Sequence, residues 1–377
     1  MRRNLRFWLR NLTGAYADTA ILLPLTVALA ATTDLEVSHL LASAGLAYLA
    51  AAWLFRMPMA VQPLKSLAAA AVAAGATGAE VRWAGAAVGL SALLLLAMRA
   101  DRLALHLPEP FVHGIQVGLG AVLVAQTWHG DWLPAVGSWL LAGAMIAVGA
   151  RWRLPAIGLV AIAALGWALV QPGPEVTRVP VHASPAWTAV RWWLVGSLVV
   201  PQVALTFANS IVSPVHVAPR LFPGQAQRVT SVRLLLSVGV GNLVSALVAG
   251  LPFCHGAGGL TAHARGGSSH WVSNALIGIP LLGAAALFAG RPGHDAAHLL
   301  IPAWLIGALL CSVGVYHLRL ASSTWRQSGG RARLLLVGAV GLGTQNMTVV
   351  LGTCVAIEAV AFCARMAART GRVDDLA

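Results

Sequence analysis

A helix that crosses a bilayer needs roughly 20 consecutive apolar residues, and this chain is a succession of apolar segments, two of which fall far short of that length. The segments lie near 11–31, 40–55, 63–75, 81–98, 110–127, 135–150 and 154–170, and again near 191–213, 230–251, 254–264, 271–289, 296–317, 334–345 and 347–366. In each set of seven the third segment is the short one, and each is led by a proline. An odd number of segments per half makes the halves inverted copies, a recurrent plan in proteins that carry solutes across membranes. The sequence therefore predicts an all-α polytopic membrane protein with a 7+7 inverted repeat of about 14 segments. Segments 3 and 10 are half-helices that stop inside the membrane.

Charge supports the path. Hydrophobic residues make up 58% of the chain and charged residues 10%, so no soluble domain is needed to account for any part of it. A net charge of +13 would suit nucleic acid if it were gathered on one face, but the arginines are scattered between apolar spans. Counted along an alternating path from a cytoplasmic N-terminus, 20 arginines fall inside, and only Arg82, Arg178, Arg191 and Arg291 fall outside. That asymmetry follows the positive-inside rule and predicts an integral protein of a cytoplasmic (inner) membrane with both termini in the cytoplasm. The basic start followed by an apolar run resembles a signal peptide, but the run is long, carries Asp18 and is echoed later in the chain. Cys254, Cys311, Cys354 and Cys363 have no C-x-x-C spacing, so neither a disulfide framework nor a zinc site is expected, and no cofactor is.

The two short segments concentrate the chemistry. Pro58 and Pro63 remove backbone donors, so residues 57–62 are expected to be extended, with a short helix beginning near Pro63. Such a helix exposes unpaired N–H groups and a positive dipole end at mid-depth, a site for an anion. Gln62 and Lys65, the only lysine in 377 residues, belong to that end. The counterpart in the second half reads L-P-F-C-H-G-A-G-G-L from Leu251, where Gly256, Gly258 and Gly259 leave backbone amides open to a ligand. Inversion points the two amino ends at each other. Asp18, Thr206 and Asn209 place polar groups within long spans, where such groups face a cavity or a partner helix.

The strings P-M-A-V-Q-P-L-K (58–65), P-Q-V-A-L-T-F-A-N-S (201–210) and C-H-G-A-G-G-L (254–260) resemble signatures of the MOT1-type molybdate transporters, relatives of the SulP sulfate permeases. The resemblance spans nearly the whole membrane chain. It implies a core domain (1–109 and 191–290) that moves against a gate domain (110–190 and 291–377), and uptake of a tetrahedral oxyanion, molybdate first and sulfate next. The expected substrate residues are Gln62, Lys65, Thr206, Asn209, His255, Gly256, Gly258 and Gly259, with Asp18 coupling protons to the anion. Ala17 and Ala20 stand where the family pattern has glycines, Ile21 where it has threonine and Ala60 where it has proline. These departures bear on the substrate more than on the fold. No STAS-like domain is expected after the last segment.

Other signals are weaker. His294 and His298 share one helical turn but have no third metal ligand nearby. His113 is expected to pack at a domain interface, and Glu358 to pair with an arginine. Gly85 with Gly89, and Gly114 with Gly118, suit close helix packing. The 14 tryptophans suit interfacial belts. Walker A, G-x-S-x-G and H-E-x-x-H patterns are absent, so an enzyme has no sequence support. The expected partners are the oxyanion, protons and membrane lipid, without nucleic acid; a homodimer stays open. The alternatives are a nucleobase/cation symporter of the same fold and an anion channel.

Overall fold

The computed structural model describes residues 2–103, 108–125, 127, 132–152, 190–289 and 303–374. In the first half, α1 (Arg2–Thr32) and α2 (Val37–Phe55) lead to a two-residue strand β1 (Gln62–Pro63) and the short α3 (Lys65–Ala73), followed by α4 (Gly78–Ala97), α5 (Glu109–Ala125) and α6 (Trp132–Trp152). In the second half, α7 (Trp192–Leu205) continues through a π-helical stretch, Thr206–Val212, into α8 (Ser213–Leu221). Then come α9 (Ser231–Leu247), the strand β2 (Phe253–Cys254), the short α10 (Ala257–Arg265), α11 (Val272–Ala289), α12 (Ala303–Leu320), α13 (Gly330–Thr344) and α14 (Met347–Asp374). Among the described residues, Val37–Phe55, Gly78–Ala97, Trp192–Leu221 and Val272–Ala289 are long and apolar enough to cross a membrane. The segment expected at 154–170, and His294 and His298, lie outside the described residues.

The halves interlock through glycines. In lipid no hydrophobic force drives helices together, so small residues that let backbones approach hold the crossings. A Cβ on Gly45 of α2 would stand 2.8 Å from the carbonyl oxygen of Gly278 on α11, and one on Gly89 of α4 would stand 2.8 Å from that of Gly239 on α9. Each pair joins one half to the other, as an inverted repeat requires. The α5–α12 crossing follows the same rule at Gly120 and Gly314. Gly85 packs on Pro252 and Gly114 on Cys354, so the spaced glycines read from sequence do serve packing.

Both short helices begin where an extended lead-in ends. β1 and β2 pair antiparallel, with Gln62 opposite Cys254 and Pro63 opposite Phe253, and the Leu64 amide donates to the Pro252 carbonyl at 3.0 Å. This pairing holds Pro63 extended, so α3 starts at Lys65, two residues later than expected. Two asparagines replace missing strand neighbours. Asn274 accepts from the Met59 amide at 2.9 Å and donates to its carbonyl at 2.7 Å; Asn242 does the same for Phe253, at 2.8 and 2.7 Å. Each supplies both hydrogen bonds that a buried, unpaired peptide would otherwise forfeit.

Candidate functional site

The site lies where α3 and α10 begin. Neither helix has a side-chain cap from the residue just before it, Leu64 or Gly256. In α3 the Leu67 amide is taken by Gln202 Oε1 at 3.0 Å, and Gln202 Nε2 in turn donates to Thr206 Oγ1 at 2.9 Å. Thr206 therefore stands behind the helix end as a brace. The π-helical stretch beside it has a local cause: Pro214 lacks an N–H and its ring crowds the carbonyl four residues back, so the preceding turn widens. That widened turn carries Asn209.

Three side chains from three elements converge on Gly256. A Cβ there would stand 2.5 Å from Gln62 Oε1, 2.9 Å from Lys65 Nζ and 3.2 Å from Asn209 Nδ2, so only glycine leaves room for them. Gln62, Lys65 and Asn209 are buried, with at most 1% of their surface exposed. Lys65 Nζ, Gln62 Oε1 and Asn209 Oδ1 have no hydrogen-bond partner in the protein. A buried ammonium without a partner is costly, by several kcal/mol. Its position at two positive helix ends suits an anion as the compensating ligand.

Asp18 sits beside this cluster and makes no salt bridge to Lys65. Its carboxylate accepts from the Tyr48 hydroxyl at 2.6 Å, from the Val61 amide at 3.3 Å and from Gln62 Nε2 at 2.5 Å. His263 Nε2 lies 3.5 Å from Asp18 Oδ2, an ion-pair distance, and both side chains are fully buried. His263 Nδ1 meets Ser268 Oγ at 3.3 Å. Gln62 thus bridges the two clusters, with its amide nitrogen on Asp18 and its oxygen at Gly256.

The remaining glycines have different neighbours. Space at Gly259 is filled by Asp18 Oδ1 and Gln62 Nε2, and space at Gly258 by the ring of His317 on α12. His255 is bonded at both nitrogens, to the Ala60 carbonyl at 2.7 Å and the Ser237 hydroxyl at 2.8 Å. A carbonyl only accepts, so Nδ1 carries the proton and the ring ties α10's lead-in to the first half. His113 lies away from this cluster, with Nδ1 2.7 Å from Thr324 Oγ1 and Nε2 3.7 Å from Glu109. Glu358 pairs with Arg333 at 2.7 Å.

Sequence reading passed over Tyr48, Gln202, His263 and His317. Each is a polar group within an apolar stretch, the signal that picked out Asp18. A fully buried tyrosine and two fully buried histidines are indistinguishable from interfacial or exposed ones until the helices are assembled.

Comparison with known proteins gives the same picture. The solved transmembrane domain of a cyanobacterial bicarbonate transporter, BicA, superposes with a TM-score of 0.64 at 16% identity, covering 93% of this chain and 98% of that one. The murine Slc26a9 anion transporter in its inward-facing state gives a TM-score of 0.61 at 14% identity, over 94% of this chain and 68% of that one. Those likenesses show the fold, an all-α 7+7 inverted repeat shared with these two carriers. Molybdate transporter 2 of Arabidopsis thaliana is 26% identical over 406 residues, covering 91% of this chain and 85% of that one. Residues 10–123 and 195–316 match the family described as "Molybdate transporter of MFS superfamily", although the fold likeness is to the bicarbonate and Slc26a9 carriers. With well over half of its length matched, this integral membrane chain belongs to the molybdate transporter family.

Proposed function

We propose that the chain is a secondary active transporter of a tetrahedral oxyanion, molybdate first and sulfate next. The observation that carries this reading is the unpartnered Lys65 ammonium, buried with Gln62 Oε1 and Asn209 Oδ1 around Gly256. A dianion about 4 Å from Lys65 gains roughly 8 kcal/mol gross at an effective dielectric of ~20, most of it offset by desolvation. Amides of the first turn of α10 would donate to its oxygens, while Lys65 supplies charge. His255 and Thr206 shape the pocket through their bonds to Ala60, Ser237 and Gln202.

Transport follows from movement of a core (1–109 and 191–290) against a gate (110–190 and 291–377). The packing of α2 on α11 and α4 on α9, and separately of α5 on α12 and α13, supports that division. Protons are the coupling ion. Lys65 and two helix ends sum to about +2, matching a dianion, so an ionised Asp18 leaves the loaded pocket about one charge negative. A proton taken up at Asp18 restores neutrality, and binding and protonation then favour each other. Both termini face the cytoplasm of an inner membrane, in line with the arginine asymmetry.

A nucleobase symporter of the same fold is disfavoured because Trp192–Leu221 and α10 carry no Asp or Glu to hydrogen-bond a base. Uptake of labelled sulfate into proteoliposomes, challenged with molybdate, tests the proposal. It requires saturable uptake and competition by molybdate at lower concentration than by unlabelled sulfate. Uptake that rises linearly with sulfate indicates a channel, and uptake that molybdate does not inhibit excludes the oxyanion site.

A further inference from the structure

The anion site has a neighbour that does not belong to the core. His317 stands near the end of α12, a helix that packs along α5 and α6 and crosses α5 where Gly120 meets Gly314. The base of the side chain is fixed by that crossing, since a Cβ on Gly120 would stand 3.2 Å from His317 Cβ. The ring, fully buried, reaches the amino end of α10. There a Cβ on Gly258 would stand 2.8 Å from Nε2 and 2.9 Å from Cε1. Gly258 is the second residue of α10 and lies two residues past Gly256, around which Lys65 Nζ, Gln62 Oε1 and Asn209 Nδ2 gather. The nitrogen-bearing edge of the imidazole therefore borders the same helix end as the lysine.

We propose that His317 is the gate's own contact with the bound oxyanion: an imidazole N–H that donates to the anion only while the gate is closed against the core. This rests on the oxyanion reading of the Lys65 site. An imidazole always offers at least one N–H, whichever tautomer it holds, and an oxyanion seated on the first-turn amides of α10 presents oxygens to that edge. Because His317 rides on α12 and Gly258 on α10, the contact breaks when gate and core separate. A ligand shifts a conformational equilibrium only through contacts that differ between the two states. A donor carried by the gate is such a contact, whereas Lys65 and the α10 amides move together with the core and do not distinguish the states. The absence of a side chain at Gly258 is explained by the same approach.

The test compares His317→Leu, which fills the space without a donor, with His317→Gln, which keeps an N–H at similar reach. Molybdate binding is measured on the full-length protein in detergent by titration calorimetry, with Lys65→Gln alongside. We expect His317→Leu to weaken molybdate binding at least fivefold and His317→Gln to stay within about twofold of the unsubstituted protein. Equal affinity of the Leu and Gln variants overturns the inference, whether both match the unsubstituted protein or both fall. If that result comes with a Lys65→Gln protein that has lost binding, the oxyanion site stands and only the role of His317 is wrong. If Lys65→Gln also binds as the unsubstituted protein does, the site reading fails and the inference with it.

Discussion

Lys65 Nζ lies buried beside Gly256 with no hydrogen bond from the protein, and the account at residue scale turns on that atom. Lys65→Gln keeps much of the volume and removes the charge. Molybdate affinity should fall at least tenfold, about 1.4 kcal/mol, by titration calorimetry, while the protein keeps its melting temperature or gains a little because an unpaired buried charge is gone. Gly256→Ala should abolish molybdate-induced thermal stabilisation, since its methyl would press on Gln62 Oε1 and Lys65 Nζ. If molybdate still stabilises that variant, the anion sits elsewhere. Gly258→Ala is a less direct probe, because its methyl meets the His317 ring before it meets any ligand. Lys65 and Gln62 were legible in the sequence because one lysine among so many arginines, behind two prolines, is a local pattern. Tyr48 and His263 were not: Tyr48 is 30 residues from Asp18 in the chain, and only the assembled helices make them neighbours.

At the scale of elements, the proline-led breaks and the short helices after them were readable, because the loss of backbone donors and the length of an apolar run are both local properties. The pairing of β1 with β2, which delays α3 to Lys65, depends on two segments about 190 residues apart and has no local signature. The same holds for the asparagine clamps of Asn242 and Asn274. One more tertiary feature joins the halves where α3 ends. Glu80 accepts from Arg191 Nε and Nη2, both at 2.8 Å, and from the Arg191 amide at 2.9 Å, while Arg191 also donates to the Gly75 carbonyl at 2.8 Å. Glu80 is fully buried and Arg191 is 39% exposed, so the pair falls between a surface and a buried salt bridge. Glu80→Gln should cost about 1–2 kcal/mol, seen as a lower melting temperature in detergent with molybdate affinity unchanged once folded. An unaltered melting temperature would mean that the clasp is ornamental to stability.

For the whole molecule, the 7+7 plan and the short third and tenth segments followed from segment count and arginine placement, which report on the bilayer rather than on side-chain detail. The proposed division into core and gate was implied only by family resemblance, because the glycine crossings that support it join distant helices. Coupling belongs to this scale as well. Asp18→Asn, a mimic of the protonated carboxyl, should still bind molybdate but should lose accumulation driven by an inward proton gradient in proteoliposomes. An Asp18→Asn carrier that accumulates molybdate with unchanged pH dependence would place coupling elsewhere. The central claim, that this fold carries an oxyanion through a site built on Lys65, is tested most directly by one measurement. Uptake of radiolabelled molybdate into proteoliposomes is followed for the unsubstituted protein and for Lys65→Gln, over a range of substrate concentrations. The account predicts saturable uptake by the unsubstituted protein and an apparent KM at least tenfold higher for Lys65→Gln; identical saturation curves for the two proteins would contradict it.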